Sequence, residues 1–115
     1  MNQPHKLAVI WTSGDREVAV RMAFMYTLNS KLKEWWEEVA LIVWGPSAKL
    51  LAEDTDLQEY VAKIKHAGVE LLACKACADS YGVSEALSDL GINVKYTGQV
   101  LTDFLKDADR RVITV

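Results

Sequence analysis

The feature that most constrains this chain is a series of short, unbroken apolar segments. Each is cut off by small or polar residues and followed by helical periodicity. The segments Lys6–Trp11 (KLAVIW), Val39–Trp44 (VALIVW), Val69–Ala73 (VELLA), Ile92–Tyr96 (INVKY) and Val112–Val115 (VITV) read as strands. They are apolar runs rather than in–out alternations, as expected of strands covered on both faces. Between the first two, Val18, Met22, Met25, Leu28 and Leu32 recur at three- and four-residue steps. That spacing predicts a helix from Asp15 to about Lys33 with this stripe in the core. A short helix is expected around Ala48 to Ala52. Thr55 and Gln58 have capping-box spacing ahead of a stripe of Leu57, Val61 and Ile64 that ends at Gly68. Helices are also expected over Cys74–Tyr81, Ser84–Leu90 and Gln99 to about Lys106.

Strand–helix alternation of this kind specifies an α/β fold. The expectation is a single three-layer α/β/α domain spanning residues 1–115, with a mostly parallel five-stranded sheet and right-handed crossovers. Such sheets bind ligands outside the carboxyl ends of their strands. Those ends carry Thr12-Ser13-Gly14, Trp44-Gly45-Pro46-Ser47, Cys74-Lys75-Ala76-Cys77 and Thr97-Gly98-Gln99. Thr12, Ser13, Gly14, Gly45, Ser47, Lys75 and Thr97 are therefore candidate binding residues beside the two cysteines.

Composition narrows the partners. The chain has 115 residues, half of them hydrophobic, enough for one core without disulfides or metal. A formal net charge of −3 argues against nucleic acid or an anionic membrane as the main partner. No apolar run is long enough to span a bilayer, and the first residues lack a signal-peptide pattern. The expected location is cytoplasmic. Thiols stay reduced there, so two cysteines point to catalysis or metal rather than a structural staple.

Cys74 is the better candidate nucleophile. It stands where a strand hands over to a helix, whose free N–H groups and dipole favour a thiolate. Lys75 adds a cation, Asp79 opposes it where it lies close, and Cys77 sits one turn away, within reach of the Cys74 sulfur. The competing reading is that both thiols are small packing residues. A zinc site needs four ligands, and only His5, in a terminal tail, and His66, at the far end of a helix, could join the cysteines. No metal is expected. G-x-G-x-x-G and the P-loop are both absent, and no cofactor is expected. Trp35-Trp36 reads either as a subunit contact or as packing under the sheet. Arg110-Arg111 reads as a solvated turn.

Several stretches resemble the DsrE-like family of sulfur-relay proteins. They are "TSGD" with "VRMAFMYTL", "IVWGPSAKLL", "HAGVELLACKACADSYGV" and "LGINVKYTG". Within the third, Cys74 stands eight residues before Gly82-Val83, the spacing of the family's sulfur-carrying cysteine. The resemblance implies a persulfide carrier that exchanges sulfur with donor and acceptor proteins or small thiols. It also implies a homo-oligomer, a trimer or hexamer. Cys77 would then be a resolving thiol, which turns carriage of sulfur into its release. The reading from a different class is a non-enzymatic oligomeric binding or scaffold protein with incidental cysteines.

Overall fold

The computed structural model describes residues 3–115. Its one five-stranded sheet comprises β1 (Lys6–Trp11), β2 (Glu38–Val43), β3 (Glu70–Cys74), β4 (Asn93–Lys95) and β5 (Arg110–Thr114). The strand order is β4-β3-β2-β1-β5, and every pair is parallel. Helix α1 runs over residues 16–32. It is followed by α2 (Pro46–Glu53), α3 (Thr55–His66), α4 (Lys75–Tyr81), α5 (Ser84–Asp89) and α6 (Gly98–Lys106).

Side-chain alternation along the strands splits the interior in two. Leu7, Val9, Trp11, Leu41, Val43, Leu71 and Ala73 face one side, against Ala19, Ala23 and Phe24 of α1 and the apolar faces of α2 to α5. Ile10, Ile42 and Leu72 face the other, against Val100, Leu101 and Phe104 of α6. The uneven layers follow from chain direction. The connections β1→β2→β3→β4 all step the same way across the sheet, so right-handed crossovers put their helices on one face. The connection β4→β5 runs back to the far edge, so α6 alone lies on the other.

Three expectations change. In α1 the stripe read as core is largely outside, with Met22 43%, Met25 42% and Leu32 60% exposed. The helix widens to π-type turns over Ala19–Phe24. The buried stripe starts one residue on from the apolar one, with Ala19, Ala23, Phe24, Thr27 and Ser30 inside. At α3 the cap is Asp54, not Thr55. Its carboxylate accepts from Leu57 N–H, while Gln58 donates back to Leu51 and Ala52 carbonyls. Arg110 is no solvated turn: it opens β5, and its side chain is only 8% exposed.

Candidate functional site at the carboxyl edge of the sheet

Helices α4 and α6 follow the adjacent strands β3 and β4 but leave for opposite faces of the sheet. A crevice forms where neighbouring connections part in this way, and open α/β sheets bind ligands there. Cys74 is the last residue of β3 and sits at that crevice, with Lys95 of β4 as its register partner. It also serves as the N-cap residue of α4, in extended conformation and without a side-chain cap bond. The first N–H groups of α4 are therefore not taken by a capping side chain.

The two thiols are free, and the Cys74 side chain acts on the Cys77 thiol. Cys74 is buried, 6% exposed, and Cys77 is the more accessible of the pair. Burial first, and then the Cys74 side chain, push the Cys77 thiol up. The nearby Gly45 backbone, which favours the anion, opposes both. Gly45 holds φ at +76°, a conformation glycine adopts without strain, so the β2–α2 turn that presents this backbone depends on a missing side chain.

Lys75 is already committed. Its ammonium donates to Asp79 Oδ2 at 2.9 Å and stands 5.9 Å from the centre of the Tyr96 ring. Ser84 hydrogen-bonds the other oxygen of Asp79. The Ser84 hydroxyl, then Lys75, hold the Asp79 carboxyl below its ordinary range, and Asp79 in turn raises Lys75. The cation beside Cys74 is therefore largely neutralised by its own i+4 neighbour.

The remaining edge residues divide by whether their polar groups are free. Ser47 is buried, with Oγ 2.6 Å from Trp11 O and accepting from Trp44 N–H. Thr12 donates to Val115 O, and Ser13 Oγ accepts from Asp15 N–H. Gly14 packs against Pro46. These groups hold the loops together. Thr97 is buried with no partner for its hydroxyl. The edge thus brings Cys74, Cys77 and Gly45 together, with Lys75 beside them, while Thr12, Ser13 and Ser47 are occupied in the framework. Gly45 is the residue whose part in this arrangement spacing alone did not reveal. Its signal was the Gly-Pro pair that ends β2.

Among the described residues, neither cysteine lines any of five principal hollows. Trp11 is core, T-stacked on Phe24 at 4.7 Å, and Trp44 is partly buried against the second core. Among the described residues no cluster of His, Cys, Asp or Glu could hold a metal ion. His5 pairs instead with Asp109 at 2.9 Å. No helix among them is long and apolar enough to cross a membrane.

A model of the DsrE/DsrF-like family matches residues 5–115. The chain belongs to the DsrE/DsrF-like family. A solved structure of a conserved protein of unknown function from Bacteroides thetaiotaomicron, BT1422, is 35% identical with a TM-score of 0.91. That match covers 96% of this chain and 95% of the other. The ychN protein from E. coli shares the fold at 16% identity and a TM-score of 0.72, over 99% of this chain and all of its own. No curated protein matches this chain. Membership in the DsrE/DsrF-like family implies a role related to sulfur relay.

Proposed function

We propose that this DsrE/DsrF-like protein transfers sulfane sulfur through Cys74, with Cys77 as the resolving thiol. The observation that carries the reading is the pair of free thiols at the β3–β4 crevice, with Cys74 ending β3 and Cys77 in the first turn of α4. The Cys74 thiolate attacks the outer sulfur of a donor persulfide. The donor leaves as a thiolate and Cys74 becomes a persulfide. An acceptor thiolate then takes the terminal sulfur and regenerates Cys74. Alternatively, the Cys77 thiolate attacks the inner sulfur, expelling hydrosulfide and leaving a Cys74–Cys77 disulfide. Electrons balance in that branch because the sulfane sulfur is reduced as the thiol pair is oxidised.

Cys74 is the more buried thiol, so a donor sulfur has little open access to it. That burial favours the second reading, a non-enzymatic oligomeric binding or scaffold protein with incidental cysteines. The protein works as a homo-oligomer, a trimer or hexamer, in either reading. The exposed Met22, Met25, Leu32 and Trp35 support this, as an unpartnered apolar surface of the kind that marks subunit contacts. Partners of the first reading are donor and acceptor proteins or small thiols, met in the cytoplasm.

The test is to load the protein with a polysulfide and weigh it. One added sulfur atom on the wild type, absent from Cys74→Ser and longer-lived in Cys77→Ser, supports transfer with resolution. No adduct on the wild type, with both thiols still alkylatable, leaves the scaffold reading.

A further inference from the structure

Arg110 lies at the amino edge of the sheet, opposite the cysteines, and is a poorly paired buried cation. Its guanidinium stacks 4.0 Å from the centre of the Phe104 ring. Of its five N–H donors, Nη1 meets Leu7 O at 3.3 Å, while Nε is buried with no partner. The carboxylate paired with it, Glu38, stands 3.7 Å away, beyond hydrogen-bond reach, and is itself 61% exposed. Lys6 draws on the same Glu38 oxygen at 3.6 Å. A buried charge this loosely compensated is costly.

A hollow of about 270 Å³ opens beside Arg110, lined also by Lys31, Glu38, Ala40, Gly68 and Glu70. Lys31 enters it from α1, on the opposite face of the sheet from Arg110. Its ammonium donates to the Glu37 carbonyl at 2.9 Å and makes no ion pair among the described residues. Ala40 and Gly68 leave the space that larger residues would fill. Two cations, one of them buried and loosely paired, thus line with Glu38 and Glu70 a hollow slightly smaller than the usual range for small-molecule sites, which starts at about 300 Å³.

We propose that this hollow binds a small carboxylate, between acetate and an amino acid in size, held by Arg110 and Lys31. A planar guanidinium matches a carboxylate through two parallel N–H···O bonds, which a point charge cannot reproduce. Glu38 and Glu70 at the same hollow disfavour a second negative charge on the ligand. The same carboxylate chemistry could come from an acidic side chain of another copy of the chain, and the experiment separates the two sources.

The full-length protein, labelled with ¹⁵N, is titrated with sodium acetate and, at matched ionic strength, with sodium chloride. The expected result is a saturable shift of the Arg110 Nε–H resonance with acetate alone. In Arg110→Lys, which lacks that resonance, the backbone amides of Ala40 and Gly68 at the hollow should show no saturable shift with acetate. Because that variant can fail to fold, Lys31→Gln, at a half-exposed position, is measured beside it. Loss of one charge-assisted bond should weaken the acetate Kd roughly tenfold. An equal response to chloride, or an unchanged Kd in Lys31→Gln, overturns the proposal. So does a resonance that ignores acetate but moves with protein concentration, which assigns the hollow to a neighbouring copy.

Discussion

Cys77 and Cys74 differ by position more than by type, and that difference is measurable. Burial and the Cys74 side chain raise the Cys77 thiol. Its rate of alkylation by iodoacetamide, read by peptide mass, should have a midpoint above the roughly 8.5 of a free thiol. The sign for stability is the same. A thiol whose folded-state pKa exceeds its unfolded value stabilises fully below the unfolded value and loses that contribution as pH rises through the folded one. Melting midpoints should therefore fall above about pH 8.5 in the wild type and fall less in Cys77→Ala. Lys75 offers a second test. Asp79 now holds its ammonium at 2.9 Å, so Asp79→Asn frees that charge and should speed Cys74 alkylation at pH 7 several-fold. An unchanged rate means that Lys75 does not act on Cys74. The sequence marked Cys74 through its place at the end of a strand and allowed that Asp79 would oppose Lys75. It could not show that the Gly45 backbone acts on Cys77, because the two residues are 32 apart in the chain.

At the level of elements, strands were read more faithfully than helix faces. All five strands were legible because unbroken apolar runs between turn residues have few other uses. Helix α1 was legible in extent but not in orientation. Its buried stripe runs mostly through small or hydroxyl residues, Ala19, Ala23, Thr27 and Ser30, which a stripe argument built on large apolar residues passes over. At α3 the sequence pointed to Thr55 as the cap, one residue past Asp54, which serves. The chosen cap also carries Arg16, 2.8 Å from its other oxygen, tying α1 to α3. The Leu57 N–H first, and then Arg16, hold the Asp54 carboxyl below its ordinary range. Its contribution is thus present above the unfolded value near 3.9 and lost as pH falls through the lower folded one. Asp54→Ala should lower the melting midpoint by about 5 °C at pH 7. The deficit should shrink toward pH 3, while Thr55→Ala should change little at either pH.

For the whole molecule, the strand order decides what is left uncovered. Five helices share one face and one helix covers the other. On the crowded face α1 turns small residues inward and leaves Met22, Met25 and Leu32 outside, with Trp35 55% exposed just beyond it. Leu28 and Leu32 also line an apolar hollow with Ala62 and His66 of α3. A stripe that looks like core in sequence and lies on the surface in the folded chain is reconciled if another subunit covers it. Light scattering should then give a mass that is a multiple of 12.9 kDa. Met25→Glu with Leu32→Glu should reduce it to one chain without changing far-UV circular dichroism, since neither side chain is buried in the single subunit. Dissociation should also make the wild-type melting midpoint depend on protein concentration and remove that dependence in the double variant. A variant that keeps the wild-type mass moves the contact to another face and leaves the α1 stripe an exposed apolar surface without a partner.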